Sequence, residues 1–283
     1  MDSRQARTVT FTALALTAFA ANSLLCRRAL GHTSLDAVSF STIRLASGAA
    51  VLLMMARSRG AGAGRAGGSW GSASLLFLYA VPFSLAYVSL GAGTGALVLF
   101  GAVQSTMLIA ALVSGERPHV LQWTGLALAL GGLVYLVMPG LSAPPWSGCA
   151  LMIVAGVSWG FYSLRGRRAT DPLAETAGNF ARAVPFAVGV SLLAARYASW
   201  STDGAILAVL SGVLASGLGY VAWYTALSGL TATRAASVQL AVPVIAAAGA
   251  VVFLAEPVTI RLIVAAVLIL GGVALALRRN VRG

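Results

Sequence analysis

Apolar runs of about twenty residues recur along this chain, each closed by a short polar or turn-forming break. A helix needs about 20 mostly apolar residues to cross the hydrocarbon layer of a bilayer. On that measure the runs predict spans over 8–27, 36–56, 70–91, 94–113, 120–139, 146–165, 173–195, 204–227, 234–254 and 259–277. The breaks are Arg57 to Gly68, Glu116-Arg117-Pro118, Pro139 to Pro145, Arg165 to Pro172, and Glu256-Pro257. The shallowest is Gly91 to Gly95. Without it, the third and fourth spans would fuse into a run of about 44 residues, too long for one crossing. Arg4 and Arg7 precede the first run in the manner of a signal peptide. That run, Val9 to Cys26, is longer than a typical signal core and recurs later in the chain, so it reads as a retained helix.

Composition agrees with lipid as the solvent. Of 283 residues, 59% are hydrophobic and 9% charged, against about 25% charged in a soluble domain. Mean hydropathy is +0.89. The net charge of +12 would suggest nucleic acid in a soluble protein. Here the charge sits in the gaps between apolar runs, with no basic stripe on polar surface, so no nucleic-acid partner is expected. All nineteen basic residues are arginine. With the N-terminus placed in the cytoplasm, the inside segments hold Arg4, Arg7, Arg57, Arg59, Arg65, Arg117, Arg165, Arg167, Arg168, Arg234, Arg278, Arg279 and Arg282. The outside segments hold only Arg27, Arg28, Arg196 and Arg261. This asymmetry predicts both termini on the cytoplasmic side of a bacterial inner (plasma) membrane.

The two halves repeat. Asn22 aligns with Gly160 and Arg44 with Arg182 at an offset of 138; Glu116 aligns with Glu256, and Gly131-Gly132 with Gly271-Gly272, at an offset of 140. Each half holds five spans, an odd number, so the second must start on the opposite face. The expected fold is therefore an all-α membrane protein of ten transmembrane helices. It forms two inverted five-helix repeats over 1–141 and 142–283, an arrangement common among secondary transporters.

On these residues the chain resembles the drug/metabolite transporter superfamily, and specifically its EamA-type members with two tandem five-helix domains. The resemblance is carried by Ser158-Trp159-Gly160, Arg44 and Arg182, Pro243, Glu256-Pro257 and the two glycine pairs. The first half departs from the pattern: Ala21-Asn22 replaces Trp-Gly, and Val103 stands where the second half has Pro243. The resemblance implies a small-metabolite carrier, often an exporter, with a central cavity between the halves. Within the family the chain is most similar to the YddG-type aromatic amino-acid exporters.

Several side chains suit such a cavity. Tyr220, Trp223 and Tyr224 share one helical face of the eighth span, and Tyr79, Phe83 and Tyr87 share one of the third. Trp159 and Tyr162 add rings from the sixth. Rings with polar tips fit an amphipathic ligand, although an interfacial aromatic belt gives the same pattern. Asn22, Gln104 and Gln239 are amides within spans and must face a cavity or another helix. These ten residues, Tyr87 set aside, are the expected substrate-binding set. Arg44 and Arg182 are charges well inside spans. Their repetition in both halves favours a structural or gating role, and the same role is expected of the helix-kinking Pro82, Pro185 and Pro243. Cys26 and Cys149 have no metal-ligand spacing and read as buried thiols, and neither a metal nor a cofactor is expected.

No His or acid lies in mid-span beside a Ser or Cys, so an intramembrane enzyme is not expected. The same lack predicts transport without a carboxylate relay. The expected activity is export of small metabolites, amino acids including aromatic ones, by alternating access, with membrane lipid and a small-molecule substrate as partners and a monomer as the working unit. The competing reading is another small solute, such as a drug, sugar or nucleotide conjugate, on the same fold.

Overall fold

Side-chain caps set many of the helix starts. Ser69 accepts from the amide of Ser72 at 3.1 Å, Asp171 from those of Leu173 and Ala174, Ser201 from Gly204, and Thr231 from Arg234. Each satisfies a donor that the first turn leaves unpaired. The computed structural model describes residues 3–58, 67–115, 119–138, 144–255 and 260–277, and every regular element among them is helical.

The helices are α1 Ser3–His32, α2 Ala37–Ser58, α3 Trp70–Tyr87, α4 Ala92–Val113, α5 Val120–Val137, α6 Trp146–Gly166 and α7 Pro172–Leu193. A 3-10 turn, Ala195–Tyr197, then leads to α8 Thr202–Leu210, which runs through a π-helical segment, Ser211–Leu218, into α9 Gly219–Leu227. After them come α10 Ala232–Gln239, α11 Ala241–Leu254 and α12 Ile260–Leu277. Seven of these helical stretches are long and apolar enough to cross a bilayer: α1 to α4, α6, α8 through α9, and Arg234–Leu254. The protein is an all-helical, multi-pass membrane protein. α7 falls short of that measure because Glu175, Asn179 and Arg182 lower its hydropathy.

Helix ends and continuity differ from the sequence expectation in several places, among them a start of α1 at Ser3 and an end of α3 at Tyr87. α1 continues past residue 27 and carries Arg28 and His32 in the helix. Arg27 lies there too and donates from Nη1 to the carbonyls of Tyr87 and Val88 at the end of α3. The predicted eighth span contains the π-helical segment, and the ninth breaks at Leu240, where Pro243 two residues into α11 has no amide to continue the ladder. Glu116, Arg117, Pro118, Glu256 and Pro257 lie outside the described residues, as do Arg59, Arg65, Arg278, Arg279 and Arg282.

Helix partners cross between the halves. α2 packs against α7, α5 against α12, and α4 against α10 and α11; α3 packs against α6, and α1 against α8 and α9. Glycine permits the closest of these contacts. A Cβ on Gly132 would sit 2.7 Å from Leu268 and 3.1 Å from the Ala265 carbonyl. One on Gly272 would strike the Gly125 carbonyl and stand 2.7 Å from the Ala129 amide. Gly131 and Gly271 have no such crowding.

The loop before α2 is clipped to the segment before α8. Asp36 accepts from the amides of Val38 and Ser39 through Oδ1 and from the Ser199 amide through Oδ2, at 2.8 to 3.1 Å. Ser34 donates to the Trp200 carbonyl at 2.8 Å, and the Ser199 hydroxyl donates to the Ser34 carbonyl. Partial burial of Asp36 opposes its ionisation, but donors from Ser39, Ser199 and Val38 outweigh it and hold the carboxyl below its ordinary range. Both cysteines are free thiols, Cys26 buried and Cys149 half-buried.

Candidate functional site

The ten side chains expected to bind substrate are all buried, and nine of them join one network between the helices. Trp159 on α6 is its hub. Its ring lies 4.6 Å from Tyr220, 5.0 Å from Tyr79, 5.2 Å from Phe19 and 5.4 Å from Tyr162, centroid to centroid. Its indole N–H donates to Oε1 of Gln239 at 2.8 Å, and Nε2 of Gln239 points to the Met107 sulfur. Phe83 stands 5.2 Å from Tyr79, and Tyr224 5.2 Å from Tyr162. Trp223 donates from its indole to the Ser163 hydroxyl at 3.0 Å. Gln104, the tenth, is buried on α4 with no hydrogen-bond partner for Oε1.

Phe19, Ser23, Tyr79, Phe83, Leu99, Phe100 and Trp159 enclose a void of about 10 Å³. That is room for about one water, too little for a metabolite in this conformation, and the chamber's aromatic walls are in contact.

Polar groups meet behind two of those walls. Arg44 on α2 is fully buried. It donates from Nε to Ser216 Oγ at 2.8 Å, and from Nη2 to the hydroxyls of Tyr220 at 2.7 Å and Tyr79 at 3.2 Å. Its guanidinium lies 5.2 Å from the Tyr79 ring and 5.1 Å from the Phe83 ring. Asn22 closes the circuit: Nδ2 donates to the Tyr79 hydroxyl at 3.1 Å, while Oδ1 accepts from Ser211 at 2.6 Å and Ser216 at 3.4 Å. An arginine at mid-membrane costs about 2.5–3.5 kcal/mol even on insertion scales. Hydrogen bonds to a charged group, at about 1.5–3 kcal/mol each, and the ring faces offset that. No carboxylate pairs with Arg44 among the described residues, and its Nη1 has no acceptor.

The π-helical segment makes this geometry available. On an α-helix, residues five apart point about 140° away from each other. The i→i+5 ladder brings them nearly onto one face, so Ser211 and Ser216 both reach Asn22.

The two arginines paired by the sequence sit in different environments. Arg182 is half-buried and donates from Nη1 to the carbonyls of Gly67 at 2.9 Å and Gly178 at 3.0 Å, bracing the linker before α3. Arg44 belongs to the chamber. Pro243 is buried at the α10–α11 break and Pro82 is half-buried in α3, whereas Pro185 faces outward from α7, away from the chamber. Sequence reading passed over Phe19, Phe100, Ser211 and Ser216. Phe19 and Phe100 sit in apolar runs that give no sign of which face is inside. Ser211 and Ser216 are five apart, a spacing that puts them on different faces of an α-helix, so nothing local marks them as sharing a partner.

Residues 146–278 match the EamA-like transporter family. The uncharacterized protein PA1977 of Pseudomonas aeruginosa is 54% identical over 96% of this chain and 94% of its own length. The chain belongs to the EamA-like transporters of the drug/metabolite transporter superfamily. Other relatives align over parts of the sequence. The inner membrane transporter YedA of Escherichia coli is 34% identical over 42% of this chain and 37% of its own. The threonine/homoserine exporter RhtA of Escherichia coli is 31% identical over 54% of this chain and 52% of its own. One crystal structure shares the fold, with a TM-score of 0.75 and 20% identity over 97% of this chain and 98% of the other.

Proposed function

We propose that this transporter exports small metabolites, amino acids including aromatic ones, by alternating access at the aromatic chamber. The carrying observation is that both halves supply rings to the chamber: Phe19, Tyr79 and Phe100 line the void with Trp159, and Tyr220 packs against Phe19, Tyr79 and Trp159. The rings suit apolar side chains, and Gln104, Gln239, Asn22 and Arg44 supply groups that orient a polar end. The substrate named for RhtA supports the amino-acid class.

The chamber lies between two inverted five-helix repeats, 1–141 and 142–283. Reciprocal packing supports this reading. Gly132 meets Ala265 while Gly272 meets Gly125, and each pair of equivalent residues is 140 apart. Likewise α3 takes α6 as partner while α1 takes α8 and α9. Such a two-fold lets the halves rock about a fixed centre. Both termini lie in the cytoplasm, by the arginine asymmetry, and the membrane is the bacterial inner membrane, as the name of YedA supports.

Among the described acids, Asp36 and Asp171 cap helix starts, Glu175 accepts from the Gly68 amide, and Asp203 lies in the first turn of α8. Transport therefore runs without a carboxylate relay in the chamber. Counterflow in proteoliposomes with a panel including phenylalanine, tryptophan, threonine and homoserine tests the function. Saturable exchange of panel members is expected, slowed in Trp159→Ala and Gln104→Ala. Absence of substrate-specific exchange across the panel refutes the amino-acid class. Accumulation driven by an imposed pH gradient alone refutes the coupling.

A further inference from the structure

Among the described residues, two buried side-chain atoms have no hydrogen-bond partner: Arg44 Nη1 and Gln104 Oε1. One is a cationic donor and the other a neutral acceptor. Buried polar groups are otherwise almost always satisfied, so an unpartnered pair calls for an explanation. A guanidinium cannot escape the cost by giving up its proton. Arg182 shows what a bracing arginine does in this protein, with Nη1 spent on two backbone carbonyls. Arg44 instead holds itself with Nε and Nη2 and leaves Nη1 unspent.

Both side chains adjoin residues that line the void. Tyr79 and Phe83, which line it, are the rings on which the Arg44 guanidinium rests. Phe100 lines it as well, and Gln104 follows it by four residues on α4, on the same helical face.

We propose that Arg44 Nη1 is the anchor for a substrate carboxylate and that Gln104 Oε1 accepts from an N–H of the same substrate, so that the chamber selects amino acids by their charged ends. The assignment rests on the amino-acid reading above and adds the atoms that read the zwitterion. In this conformation the rings of Tyr79 and Phe83 touch the guanidinium and also line the void, which Arg44 itself does not. Loading swings them aside, and the carboxylate takes the free Nη1 hydrogens. The side chain of the substrate then meets the aromatic walls, which discriminate less sharply than the charged anchor.

Three ligands sharing one ring test this on the purified full-length protein in detergent, by ligand-dependent thermal shift and equilibrium binding: L-phenylalanine, L-phenylalaninamide and 3-phenylpropanoate. The amide lacks the carboxylate and is expected to bind about 10- to 100-fold more weakly than the acid, the range a charge-assisted hydrogen bond covers. The deaminated acid keeps the Arg44 contact and loses the Gln104 contact, so it is expected to fall between the two. Arg44→Lys keeps a charge but loses the guanidinium geometry. It should weaken phenylalanine about tenfold more than it weakens the amide, so that the preference for acid over amide collapses. Equal binding of acid and amide to the unaltered protein overturns the carboxylate anchor while leaving amino-acid transport standing. Equal binding of phenylalanine and 3-phenylpropanoate overturns the role of Gln104. Absence of binding by all three, with no counterflow of any panel amino acid, fails the amino-acid reading itself and takes the anchor with it.

Discussion

Asn22 joins α1 to α3 and to the π-helical segment through three hydrogen bonds, and its replacement by alanine measures what that junction contributes. The bond from Ser211 is short, 2.6 Å; that to Tyr79 is 3.1 Å and that from Ser216 is 3.4 Å. Hydrogen bonds between membrane helices average about 0.6 kcal/mol and reach about 1.7. The Ser211 bond belongs near the upper end, the Tyr79 bond near the mean, and the Ser216 bond contributes little. With the void left by the lost amide, Asn22→Ala should destabilise the protein by about 2–3 kcal/mol. Ser211→Ala should cost about 1 kcal/mol in the unaltered protein and almost nothing when Asn22 is already alanine, because its partner is gone. Reversible unfolding in mixed detergent–SDS micelles gives all four corners of that cycle. A coupling energy below about 0.3 kcal/mol, the usual error of additivity, would refute the claim that the π-helical segment is tied to α1 through Asn22.

The glycine pairs give a directional prediction: Gly132→Ala and Gly272→Ala should each lose about 1–3 kcal/mol, because a methyl group meets the opposing helix, whereas Gly131→Ala and Gly271→Ala should be neutral or slightly stabilising in the same unfolding assay. Equal effects at all four positions would show that α5 and α12 are not in close contact. The Asp36 clip should respond to acid. Its carboxyl is held below the ordinary value, so its stabilisation is complete above about pH 4 and lost as pH falls through the lowered folded-state value. The protection of the Ser199 amide against hydrogen exchange, taken relative to the intrinsic rate at each pH, should fall in that acid range, and Asp36→Asn, which cannot titrate, should abolish that fall.

The positions of the helices were legible in the sequence because lipid imposes a length and a composition on anything that crosses it. Charge and turn residues marked most ends, and even the shallow break near Gly91 falls between α3 and α4. The rings at Tyr79, Phe83, Tyr220 and Trp223 could be placed on shared faces from helical spacing alone, and the amides at Asn22, Gln104 and Gln239 had to turn away from hydrocarbon. Other features needed the tertiary structure. Two arginines in matching positions read alike, yet one braces a linker and the other sits among tyrosines, because a charge takes its role from whichever donors, acceptors and rings surround it. Phe19 and Phe100 looked like any other apolar residue. In water, burial separates the faces of a helix by polarity; in lipid both faces are apolar, so the sequence specifies which segments cross but leaves packing to decide which side chains meet. The π-helical segment belongs to that second class. Its Ser211 and Ser216 share a partner nearly two hundred residues away on α1, and local spacing cannot encode a contact whose other half is supplied only when the helices assemble.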